Sequence, residues 1–287
     1  MNLGGNHLST SRQNTRSDAD REFLAGLARA FGGAIIFSLP ILMTMEMWHL
    51  GFFMDRLRLA LLLTLTIPLL IGLSIVDGFR ETNRVLDDVI DAFVALAVGL
   101  VTGAVALLLF GVIEWGEAPA VALGKVALQV TPASIGALLA QSTFGQGQAS
   151  PERESRRDTY QGELLLMCIG ALFLGLPVAA TEEMVLIAYR MSPWQQVAMI
   201  LLSLAAMHAF VYAAQFRGQE PLPPGTPAWT VFLRFTVVGY ALTLLVCAYV
   251  LWSFGRLGAP LSPDQLAGVV VLAFPGAIGA AAARVIL

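Results

Sequence analysis

Charge is scarce in this chain of 287 residues: only 13% are Asp, Glu, Lys or Arg, about half the share of an ordinary soluble domain. Lysine is almost missing, with Lys125 alone among 17 basic residues, and the net charge is −3. No basic face is therefore available for nucleic acid. Cysteine is limited to Cys168 and Cys247, both inside apolar runs, which excludes a disulfide framework. Also missing are a P-loop, a dinucleotide glycine motif, an HExxH pair and a potassium-channel filter. No lysine lies deep in the last spans, where a retinal protein needs one. What is present is oil: 57% of residues belong to the AVILMFWYC set. A compact globule of this size has too little interior to hide them. The composition is that of a polytopic membrane protein.

Met1–Glu22 is polar, rich in Ser, Asn and Arg, and reads as a disordered tail (residues 1–22). Eight apolar stretches follow that reach the ~20 residues a bilayer requires, near 27–50, 57–76, 92–113, 119–140, 164–189, 194–215, 229–253 and 264–284. Backbone groups in lipid must be satisfied internally, so each is expected to be a helix. The expected fold is an all-α bundle of eight transmembrane helices. Arginines gather in the N-terminal segment and the loops after spans two, four and six, which places both termini in the cytoplasm.

The chain also resembles itself. Shifted by 137 positions, Gly33–Phe52 falls on Gly170–Tyr189 without gaps, matching Leu39-Pro40 with Leu176-Pro177, Thr44 with Thr181, and Glu46-Met47 with Glu183-Met184. At a shift of 143, Pro132-Ala-Ser-Ile-Gly-Ala137 matches Pro275-Gly-Ala-Ile-Gly-Ala280. Apolar composition alone does not produce matching Pro, Thr and Glu in order. Two parallel four-helix repeats are expected, 23–140 and 164–287, joined by a cytoplasmic linker over 141–163.

Pro40, Pro177, Pro132 and Pro275 lie inside spans, where each removes a backbone donor and opens or kinks the helix. Broken helices at matching places in two repeats point to a transporter's substrate site, although membrane helices also tolerate proline as a packing kink. Thr44-x-Glu46 and Thr181-x-Glu183 follow two of these prolines. A carboxylate in a bilayer normally faces a wet cavity or a partner. Glu46 and Glu183, with hydroxyls from Thr44 and Thr181, are thus candidate ion contacts in a channel or secondary transporter for a small cation or proton. A carboxylate reaching the headgroup region is the plainer account. His49, three residues after Glu46, and His208, within the sixth span, are candidate proton relays. Asp91 and Arg234 enter their spans at similar depth and could pair across the halves.

Two rivals remain. One is a non-transporting sensor or scaffold whose cytoplasmic loops dock a partner. The other is a glutamate-histidine intramembrane protease using Glu182-Glu183 and His208, but Ile187 stands where that class needs arginine. No cofactor is implied and no metal is specified; the partners are the bilayer, a small ion or solute, and a second copy in a homo-oligomer. The repeated Gly-Ala…Leu-Pro…Thr-x-Glu-Met and Pro-x-x-Ile-Gly-Ala patterns resemble a family of bacterial inner-membrane proteins of unknown function over Phe23–Leu287. That resemblance implies a multi-pass protein of the bacterial plasma membrane and carries no activity or site residues with it.

Overall fold

The computed structural model describes residues 6–77, 85–144, 159–215 and 228–286. These residues form ten helices and no strand. In chain order they are α1 (Asn6–Leu42), α2 (Met45–Phe53), α3 (Arg56–Asp77), α4 (Val85–Leu109) and α5 (Pro119–Phe144). Then come α6 (Tyr160–Ala180), α7 (Glu182–Arg190), α8 (Pro193–Gln215), α9 and α10 (Pro263–Ile286). α9 is compound, an α turn Ala228–Val231 leading through a π-helical stretch Phe232–Val237 into Val238–Ser253. α1 begins at Asn6 and so runs through most of the stretch read from sequence as a disordered tail. Once the apolar part of a helix is formed, adding polar residues at its end needs no new nucleation.

Among the described residues, seven helices are long and apolar enough to cross a membrane: α1 from Leu24, α3, α4, α5, α6, α9 from Phe232, and α10. The span expected at 194–215 falls on α8, whose residues 211–215 lie outside those whose side chains are described. The stretches expected at 27–50 and 164–189 are not single helices. Each is divided, into α1 and α2 and into α6 and α7.

Two helices sit at the centre. About 78% of the spanning window of α5 and 67% of that of α10 is buried, against 28–56% for the other five. α5 packs against α1, α2, α3 and α4, and α10 against α6, α7, α8 and α9. Small residues permit this. A Cβ on Gly33 would collide with the carbonyl of Gly136 on α5, and one on Gly170 with the carbonyl of Gly279 on α10. Gly124 likewise lies under the carbonyl of Gly51, so α2 meets α5 backbone to backbone. Close approach of this kind is what holds membrane helices together when lipid is as apolar as leucine. Phe37 of α1 and Phe173 of α6 meet at 4.7 Å between ring centroids, their planes tilted by 51°. At one end of the bundle Arg58 on α3 donates to the carbonyl of Trp252 on α9 at 2.7 Å and lies over its indole at 4.9 Å.

Candidate functional site

The two divided stretches share a geometry. α1 carries Pro40 in its last turn and stops at Leu42; the amides of Met43 and Thr44 then bond to the carbonyls of Leu39 and Ile41 at 3.1 and 3.2 Å. Thr44 is extended (φ −103°, ψ 114°), and α2 starts at the next residue. α6 carries Pro177, stops at Ala180, and is followed by an equally extended Thr181 (φ −73°, ψ 147°) before α7. Both threonine hydroxyls turn backward. Thr44 Oγ1 donates to the carbonyl of Pro40, and Thr181 Oγ1 to that of Val178 at 2.9 Å. Each threonine therefore closes one helix and opens another. The interruption comes four residues past the proline, while Pro132 and Pro275 lie within the continuous helices α5 and α10.

This geometry places Glu46, and Glu182 with Glu183, in the first turns of nine-residue helices. A carboxylate is favoured there by the partial positive charge of the exposed amides. Thr-x-Glu thus has a local reason to exist, besides any contact with an ion. Glu46 is half-buried and Glu183 exposed, on faces turned from the buried Met47 and Gly51 and from Met184 and Ala188. Among the described residues neither acid makes a hydrogen bond or ion pair, and no bond joins the two. Glu182 does have a partner: Arg256 Nη2 contacts its Oε1 at 3.1 Å and the carbonyl of Ala180 at 2.5 Å.

Two clefts open at this end of the bundle, each between a nine-residue helix, the loop joining two long helices, and the start of a central helix. The larger, about 520 Å³, is lined by Trp48, His49, Phe52, Phe53, Phe110 and Val112, with Glu117 and Lys125 in it. Lys125 Nζ lies 2.5 Å from Glu117 Oε1 and 2.7 Å from the carbonyl of Val112, and both side chains are largely shielded (14% and 20% exposed). The smaller, about 230 Å³, has Met184, Val185, Ala188 and Leu251 on its walls, with Arg256, Ser262, Asp264 and Gln265 among its polar residues. Glu46 and Glu183 line neither. Sequence reading passed over Glu117, Lys125 and Arg256; the solitary lysine, eight residues after a glutamate, was the available signal.

The two candidate histidines stand at opposite ends. His49 is on the rim of the larger cleft. His208 on α8 bonds Thr236 Oγ1 at 3.0 Å and meets Phe232 edge-on, both in the π stretch of α9. Near that far end Arg284 pairs with Glu163 at 3.3 Å, and the guanidinium of Arg234 rests on Tyr160 at 4.6 Å. Arg234 is thus engaged with an aromatic ring beside it. Glu182 opens α7 and pairs with Arg256, while His208 on α8 bonds Thr236. Among the described residues no group of three or more His, Cys, Asp or Glu is placed to hold a metal.

A family model described as "Putative integral membrane protein (DUF2391)" matches residues 26–287. No curated protein and no solved structure matches the chain.

Proposed function

Since the chain belongs to this family of integral membrane proteins, we propose that it is a bacterial inner-membrane channel or secondary transporter for a small cation or proton. Its two halves, α1–α5 and α6–α10, are like-oriented repeats with both termini in the cytoplasm. Glu46 and Glu183 are the ion-contacting acids. Thr44 and Thr181 contribute oxygen lone pairs, since their protons are committed to helix carbonyls. One observation carries this reading: a helix broken behind a proline, followed within two residues by an acid that has no protein partner among the described residues, occurs in both halves at matching positions.

The test is flux in proteoliposomes under an imposed potential, with dyes for proton and for monovalent cations. Glu46→Gln with Glu183→Gln is expected to lower flux at least about tenfold, equivalent to ~1.4 kcal/mol of barrier. Unchanged flux in the double variant removes the proposal.

The exposure of Glu183 and the helix-start position of both acids favour a second reading, a non-transporting sensor or scaffold in which they only stabilise α2 and α7. In that case wild-type protein carries no flux, and the Gln variants differ only in stability.

A further inference from the structure

We propose that the larger cleft, between α2, residues 110–118 and the start of α5, binds the zwitterionic phosphoethanolamine head group of a membrane phospholipid. The Lys125–Glu117 ion pair in this cleft is only partly satisfied. An ammonium has three donors, and Lys125 Nζ spends two, on Glu117 Oε1 and the Val112 carbonyl. Glu117 Oε2 is buried and accepts from no protein group among the described residues. One donor and one acceptor are left over at the wall of a cleft of about 520 Å³, where Oε2 is covered by its neighbours and meets a ligand once the Glu117 carboxylate turns.

Charge then selects the occupant. A purely anionic head group would meet Lys125 but face the Glu117 carboxylate, and a purely cationic one would meet the reverse. A phosphate joined to an ammonium by two carbons matches both poles. The walls fit the same ligand. Trp48, Phe52 and Phe110 line the cleft with aromatic rings, groups whose faces attract an ammonium. Phe53 and Phe52, exposed to 77% and 55%, carry apolar surface outward from the cleft for acyl chains.

The location agrees. Trp48, Trp115 and Trp252 gather at this end of the bundle, as tryptophans do at the level of lipid head groups. Trp48 is itself fixed there, donating Nε1 to the last carbonyl of α1, Leu42, at 2.8 Å. The smaller cleft differs on each count. It has under half the volume, no tryptophan, and a second carboxylate, Asp264, beside Arg256. The inference therefore concerns the larger cleft alone and does not depend on ion movement through Glu46 and Glu183.

The experiment is native mass spectrometry of the full chain in non-ionic detergent. It is titrated with phosphatidylethanolamine, with phosphatidylglycerol of the same chains, and with soluble phosphoethanolamine. Phosphatidylethanolamine is expected to bind about tenfold more tightly than phosphatidylglycerol, a difference near the resolution of one strong polar contact. Glu117→Gln combined with Lys125→Gln is expected to erase that preference, while Arg190→Gln on the exposed face of α7 keeps it. Should the double variant fail to fold, Phe53→Ala decides, because that ring is mostly exposed: weakened binding supports the site and unchanged binding overturns it. Equal binding of the two lipids, or an undiminished preference in a folded double variant, overturns the proposal. Full competition by soluble phosphoethanolamine at matched concentration overturns the assignment to lipid.

Discussion

A hydrogen in place of a methyl group decides whether α6 and α10 can touch. A Cβ on Gly170 would strike the Gly279 carbonyl and come within 2.7 Å of Ala283 Cβ. Gly175, five residues on in the same helix, has nothing within 4 Å of the same position. The two glycines should therefore respond in opposite directions to one substitution. Gly170→Ala forces two backbones apart and is expected to cost ~1–3 kcal/mol. Gly175→Ala fills open space, removes a flexible residue from a helix interior, and is expected to gain ~0.5–1 kcal/mol. Thermal unfolding in detergent measures both. The pattern Gly33…Gly170 and Gly136…Gly279 was readable as self-similarity in the sequence. That each glycine meets a carbonyl of its partner helix was not, because composition does not say which helices are neighbours.

At the scale of the element, the two helix breaks look alike but are held differently. The carbonyl of Pro40 takes the Thr44 hydroxyl, while the Thr44 amide goes to Ile41. The carbonyl of Val178 takes both the hydroxyl and the amide of Thr181. Thr44→Val therefore leaves Pro40 without its hydroxyl donor and is expected to cost ~1 kcal/mol, whereas Thr181→Val leaves an amide in place and should cost clearly less. Chemical denaturation of the two variants side by side checks the order. Long apolar stretches flank Thr44-x-Glu46 and Thr181-Glu-Glu183 on both sides, so a window average carries one span across these polar residues where a proline and an extended threonine make two helices. The same effect hid the local role of Glu46 and Glu183. Their spacing from threonine was visible; that the threonine begins a helix was not.

For the whole molecule, long-range ion pairs join segments distant in sequence, and burial sets their weight. Arg284, near the end of α10, reaches Glu163, in the first turn of α6, with side chains only 8% and 12% exposed. Arg256 reaches Glu182, which is 75% exposed. Removing one member of a buried pair strands the other, so Glu163→Gln is expected to cost ~3 kcal/mol. Glu182→Gln should cost at most ~1 kcal/mol, since water screens it. A comparison of melting temperatures separates the two, and equal losses would contradict the packing at the α6–α10 end. Two core clusters share the load across the halves. Leu166 and Ile169 of α6 join the cluster built on α1, α3, α4 and α5, while Ile41, Leu62 and Leu128 join the one built on α6–α10.

The sequence by itself determined that this chain is helical and lives in a bilayer, because excess apolar surface and unsatisfied backbone allow no other state. It also marked the residues at which something recurs, since Pro, Thr and Glu stand out against an apolar background. Only the tertiary structure decided where α1 and α6 stop, that α5 and α10 are the central helices, and that Glu117 and Lys125 share one cleft. Those outcomes depend on contacts between helices, and in lipid such contacts are chosen by the fit of small residues and backbone carbonyls, which no count of apolar residues records.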